Sequence, residues 1–205
     1  IFVHAPKTGG TSMTLALEAR AKADDIIIGD TPKAKKRRKR LADLTPAGRL
    51  WKHSSLRAID GIVDAFAMQD YCVFTIVRNP WDRLVSYYHC AREQSFDHSV
   101  VRAARDYDFV AFLHHPDVWR PLQMSPYRSY VQGPSGSDHC NLYVRLEHLT
   151  SDIVPLEEHL GFRIDVGHVN ASARDQDYRT YYTSDLRDHV ARICADDIAC
   201  FEYTF

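Results

Sequence analysis

The segment that most restricts the fold is His4-Ala5-Pro6-Lys7-Thr8-Gly9-Gly10-Thr11-Ser12, set between an apolar run, Ile1 to His4, and a helix-compatible stretch through Ala21. Glycines let a chain turn sharply after a strand. The first N–H groups of the helix that follows then point at whatever sits in the turn, and the helix dipole favours negative charge there. A strand, loop and helix in this order build an oxyanion cradle. Lys7 adds a mobile cation, and Thr8, Thr11 and Ser12 add hydroxyl donors. The lysine precedes the glycines, so G-x-x-x-x-G-K-[ST] is absent and ATP or GTP hydrolysis is disfavoured.

A second junction of the same kind lies further along. Cys72 to Val77 is β-rich without alternating polarity, as expected of a strand buried on both faces. It runs into Arg78-Asn79-Pro80, where Asn79 suits a helix cap and Pro80 the first helical position. The spacing predicts a helix over Trp81 to Arg92 with Trp81, Leu84, Val85 and Tyr88 on its apolar side. Arg78 emerges at the carboxyl end of the strand, where open α/β sheets bind ligands, and its planar guanidinium matches a phosphate. Ser86, two turns into the helix, offers a hydroxyl.

Ile26 to Ile28 reads as a short strand and Asn141 to Leu146 as another buried one. Ser151 to Leu160 reads as a helix stopping at Gly161, and Ser184 to Phe201 as a closing helix over the sheet. Strands alternating with helices predict an α/β fold, a mostly parallel sheet flanked by helices on both faces. A length of 205 residues fits a single domain, 1–205.

PKTGGTS resembles the 5'-phosphosulfate loop of sulfotransferases that use 3'-phosphoadenosine 5'-phosphosulfate (PAPS), above all the carbohydrate, heparan/chondroitin-type family 2-like branch. Val77 to Tyr88, with an arginine and a serine eight residues apart, resembles that family's 3'-phosphate motif. Tyr143 to Leu149 and Asp197 to Tyr203 are similar to its later strand and closing helix. The resemblance implies a P-loop-NTPase-like fold and transfer of a sulfuryl group from PAPS to an acceptor hydroxyl, on a carbohydrate, with PAP as product and no metal. It puts Lys7 on the sulfate and bridging oxygen, Thr8, Gly9, Gly10, Thr11 and Ser12 on the 5'-phosphate, and Arg78 and Ser86 on the 3'-phosphate. Among eleven histidines, His53 stands where related enzymes carry a catalytic histidine. Glu147, after a strand, is the second candidate base, and Asn170 and Ser172 lie in a loop of the kind that closes over the nucleotide. Two other classes fit the residues: a kinase with an atypical phosphate loop, which would need Mg²⁺ and a carboxylate, and an inactive nucleotide-binding module.

Charge adds one feature. Lys33 to Arg40 carries seven basic side chains in eight positions within a chain of net charge -1. The run reads either as a solvated mobile loop or as a surface that attracts an acidic acceptor. A near-neutral chain without a recognisable binding module argues against a nucleic-acid partner. No run approaches the roughly 20 apolar residues of a membrane span. The expectation is a soluble cytoplasmic enzyme, or a Golgi-lumenal one if an anchor precedes Ile1. Five cysteines without C-x-x-C spacing predict reduced, mostly buried thiols. His114-His115 and His139-Cys140 lack the spaced second pair of a metal site. Trp119, Tyr127, Tyr130, Tyr178, Tyr181 and Tyr182 are read as packing residues, although such a set also lines sugar sites.

Overall fold

The computed structural model describes residues 1–63, 67–167, 175 and 177–205. In chain order its elements are β1 (Phe2–Val3), α1 (Gly10–Arg20), α2 (Pro32–Arg37), β2 (Phe74–Val77), α3 (Pro80–Arg92), α4 (Ser99–Asp106), α5 (Phe109–His114), α6 (Pro116–Met124), α7 (Tyr127–Tyr130), β3 (Leu142–Arg145), α8 (Leu149–Asp152), α9 (Val154–Leu160), α10 (Ser184–Ile193) and α11 (Ala195–Phe201). The chain forms two compact units, Ile1–Val77 with Arg128–Val169, and Arg78–Tyr127 with Asn170–Phe205.

The first unit holds a parallel three-stranded sheet in the order β1-β2-β3. Phe2 pairs with Phe74, and Val77 with Arg145. β2 is central and all four of its residues are buried, which is why the segment shows no polar alternation. One face, with Phe74, Ile76 and Val144, packs against Met13 of α1 and Leu156 of α9. The other, with Val3 and Val73, packs against Leu56 and Val131, and Met68 of the 3-10 turn Ala67–Asp70 lies at its margin. Thr75 is fully buried and its hydroxyl donates to the Val3 carbonyl at 2.7 Å, tying β2 to β1. This is the parallel, helix-flanked sheet the sequence predicts.

Ile26–Ile28 departs from expectation, because the segment is irregular and Ile26 is exposed. A strand needs a ladder partner, and none pairs with these residues among those described. The helix expected to begin at Ser151 begins at Leu149 and breaks at Ile153 into α8 and α9. Pro155 lacks the N–H that would continue the ladder. The left-handed Gly161, φ 72°, ends α9 as expected. The basic run is helical and not a bare loop: Thr31 caps α2 by accepting from the Ala34 N–H, Pro32 occupies its first turn, and Arg38–Leu41 continue as a 3-10 turn. Lys33 and Arg40 donate to the carbonyls of Glu18 and Ala23, while Lys35, Lys36, Arg38 and Lys39 are exposed.

The second unit is helical. Trp81, Leu84, Val85 and Tyr88, the predicted apolar side of α3, are buried together with Phe112 and Leu113 of α5, Val118 of α6, and Leu186, Val190 and Ile193 of α10. Asn79 caps α3 by accepting from the Trp81 N–H at 3.1 Å, with Pro80 in the first turn. The predicted C-terminal helix is split at Cys194, whose φ of -111° lies outside the helical range.

Candidate active site

The loop after β1 reverses through two left-handed residues, Lys7 at φ 67° and Gly9 at φ 79°. A lysine in that region is uncommon and costs about 1 kcal/mol, which the surrounding loop must offset. Thr8, between them, is fully buried and its hydroxyl donates to the Ala5 carbonyl at 2.9 Å. That hydroxyl therefore closes the loop from inside. Gly9 is the N-terminal cap of α1, and the helical ladder opens with the Ser12 and Met13 N–H groups on its carbonyl, at 3.1 and 3.4 Å. The N–H groups of Gly10 and Thr11 precede that ladder, as the first donors of a helix do. Both glycines are also demanded by space. A Cβ on Gly10 would stand 2.0 Å from a carbon of the His4 ring, and one on Gly9 2.9 Å from Leu146 Cδ1.

His4 continues β1 and carries a second group to this edge. His53 Nδ1 lies 2.8 Å from the His4 carbonyl oxygen. A carbonyl oxygen only accepts, so Nδ1 carries a proton, and the neutral form of the ring then has its lone pair at Nε2. The two imidazoles meet edge to face at 4.5 Å between centroids, and Trp51 meets His53 at 5.0 Å. Desolvation, reinforced by the neighbouring His53, Lys52 and Lys7, lowers the His4 pKa to about 3, so its ring is neutral at physiological pH.

In the second unit, Arg78 follows β2 in the chain. Its Nε and one terminal nitrogen both donate to Asp82 Oδ2, at 2.9 and 2.7 Å. Its carbonyl accepts from the Tyr127 hydroxyl at 3.1 Å. Asn79 Nδ2 donates to the Thr204 carbonyl at 2.9 Å. Ser86 is buried on α3, and its hydroxyl makes no hydrogen bond among the described residues.

A profile of the sulfotransferase family matches residues 1–204. The chain belongs to the sulfotransferase family. Comparison with curated proteins found no match. Among solved structures, mouse sulfotransferase SULT7A1 complexed with PAP is similar at 13% identity, covering 96% of this chain and 82% of that one, with a TM-score of 0.48.

Within this sulfotransferase, Lys7, Thr8, Gly9, Gly10, Thr11, Ser12 and His53 all lie in the first unit, the loop residues beside the His4–His53 pair. Glu147 is exposed on the 3-10 turn Leu146–His148, directly after β3, and the Leu146 side chain abuts Gly9. Arg78 and Ser86 lie in the second unit. Asn170 and Ser172 lie outside the described residues.

The remaining candidates fall elsewhere. His114 meets His189 in a tilted pair, 4.2 Å between ring centroids, and the His139 ring sits against Gly133. Among the described residues no three His, Cys, Asp or Glu side chains converge on a metal position. The cysteines form no disulfide, and only Cys194 is buried, with Cys200 exposed, so the thiols are more accessible than expected. Burial pushes the Cys140 and Cys194 thiols up to about 12. Trp119, Tyr178, Tyr181 and Tyr182 pack against the helical core, Tyr130 against the sheet, and Tyr127 is fully buried. Among the described residues no helix is long and apolar enough to cross a membrane.

Sequence reasoning missed His4, Asp82 and Tyr127 as partners of the site residues. Asp82 carried a signal, its i,i+4 spacing from Arg78. His4 and Tyr127 carried none, since their contacts join segments 49 residues apart in each case.

Proposed function

We propose that this chain transfers a sulfuryl group from PAPS to the hydroxyl of a carbohydrate acceptor, releasing PAP. The observation that carries the reading is the β1–α1 loop in a sulfotransferase-family chain. Lys7 and Gly9 are both left-handed, the His4 ring leaves no room for a Cβ on Gly10, and α1 begins directly after Gly9. Such a loop suits a phosphosulfate: the backbone N–H groups of Gly9, Gly10 and Thr11, with the Ser12 hydroxyl, hold the 5'-phosphate, and Lys7 steadies the charge gathering on the bridging oxygen as the S–O bond breaks. Thr8 contributes its backbone, its hydroxyl being engaged by Ala5. Arg78 and Ser86 take the 3'-phosphate.

His53 is the base. Its Nε2 lone pair accepts the acceptor hydroxyl's proton as the new O–S bond forms, and PAP departs as an anion. The hydrogen bond from Nδ1 to the His4 carbonyl holds the ring in that tautomer. His4, being neutral, adds no charge against the imidazolium that results.

Thermal unfolding with PAP, AMP and ATP–Mg²⁺ tests the reading. PAP should raise Tm well above AMP at equal concentration, because only a site for the 3'-phosphate separates them. Equal shifts for PAP and AMP, or a larger shift with ATP–Mg²⁺, would overturn it.

A further inference from the structure

The residue that places Arg78 is distant in sequence. Arg78 precedes the N-cap of α3, so no helical N–H reaches its carbonyl, and a carbonyl there needs another donor. The hydroxyl of Tyr127, a fully buried residue, supplies it at 3.1 Å.

Tyr127 is itself held at its backbone and at its ring. Its backbone N–H donates to Asp197 Oδ1 at 2.7 Å. Its ring lies under the Arg83 guanidinium, 4.4 Å from centroid to Cζ. Arg83 faces the other oxygen of Asp197 at 3.9 Å, closing the circuit. Arg83 and Asp197 are both buried, 4% and 3% exposed, which is unusual for charged residues unless they are paired. Arg83 sits on α3 five residues after Arg78, and its backbone N–H bonds the Asn79 carbonyl at 2.8 Å. The circuit thus begins and ends on the turn that carries Arg78. The Arg78 side chain is oriented separately by Asp82.

We propose that Tyr127, pinned by the Asp197–Arg83 pair, is a positioning residue that sets the backbone of Arg78 and thereby the selectivity for a 3'-phosphorylated nucleotide. The inference rests on the assignment of Arg78 to the 3'-phosphate. Tyr127 touches no ligand and acts only through Arg78.

The test uses the full chain with Tyr127→Phe, Arg78→Gln and the double variant, measuring PAP and AMP affinities by calorimetry. Tyr127→Phe should weaken PAP about tenfold, the loss expected of one buried hydrogen bond, and leave AMP unchanged. In the Arg78→Gln background the same substitution should cost no further preference for PAP, since its route is gone. Equal weakening of PAP and AMP, or additive losses in the double variant, would show a merely structural tyrosine and overturn the proposal. Should Tyr127→Phe fail to fold, Asp197→Asn keeps an acceptor for the Tyr127 N–H but removes the charge facing Arg83. It should cut the preference for PAP severalfold, and an unchanged preference overturns the proposal. A wild-type chain that does not prefer PAP to AMP overturns both this inference and the assignment of Arg78. A preference lost in Arg78→Gln but kept in Tyr127→Phe overturns this inference alone.

Discussion

His53 Nδ1 donates to the carbonyl of His4 across 2.8 Å, although 49 residues separate them in the chain. The bond selects the tautomer whose Nε2 accepts a proton. His53→Ala should therefore lower kcat by about 10²–10⁴-fold, the usual contribution of a general base, and leave the PAP Kd unchanged. Glu147→Gln should stay near wild-type turnover. Steady-state kinetics and calorimetry on both variants check this, and the opposite pattern moves the base to Glu147.

Gly10→Ala should damage the loop. Its Cβ would fall 2.0 Å from the His4 ring, which is wedged in turn against His53. The expected result is a loss of about 1–3 kcal/mol in stability with weakened PAP binding. Among the described residues nothing lies within 4 Å of where a Cβ on Gly167 would stand, so Gly167→Ala should leave both unchanged. Denaturant unfolding of the two variants makes the comparison.

The acid side of the stability curve should carry His4. Its pKa falls from 6.5 to about 3 on folding, mainly by desolvation. Between those values the unfolded chain binds more protons, so this contribution rises with pH across the window and is complete above it. His4→Phe keeps an aromatic ring and removes the titration. The wild-type curve should lose up to about 4 kcal/mol relative to the variant on acidification through that range. Parallel curves would show that His4 is not buried as a neutral ring.

Asp197 should act with the opposite sign. Burial raises its pKa from 3.8 to about 6, against the lowering effects of the Tyr127 N–H and Arg83. The folded chain then holds the extra proton, so this contribution to stability is full below pH 3.8 and falls as pH rises to about 6. Wild type should lose about 2–3 kcal/mol relative to Asp197→Asn across that interval. Urea melts at several pH values read the difference directly.

The exposed cations of α2 and its 3-10 extension should matter to the acceptor and not to the donor. Substituting Lys35, Lys36, Arg38 and Lys39 with Gln should raise KM for an acidic polysaccharide and flatten its salt dependence, because the lost term is long-range and screened. PAP affinity should stay constant. An unchanged KM and salt slope would make the run a solvated face only.

Local patterns carried much of the fold. β2 was legible because a strand buried on both faces shows no alternation of polar and apolar residues, and α3 because Asn79, Pro80 and the Trp81, Leu84, Val85, Tyr88 spacing agree on one start and one face. Ile26–Ile28 misled, since a short apolar run states a propensity while a strand requires a neighbour. The break at Ile153 follows from Pro155, which sits in the first turn of α9 and lacks an N–H.

At the site, the sequence alone determined that a tight glycine-bearing turn joins β1 to α1, since that signal acts between residues a few positions apart. Tertiary structure decided what those residues do with their polar atoms. It committed the Thr8 hydroxyl to the loop itself, gave Arg78 both Asp82 and the hydroxyl of Tyr127, and turned His53 so that its Nδ1–H donates to the His4 carbonyl. Two of these pairings, Arg78 with Tyr127 and His53 with His4, join segments 49 residues apart, and a buried carbonyl takes whichever donor the packing brings within about 3 Å. Propensity and spacing do not encode that choice, which belongs to the folded chain as a whole.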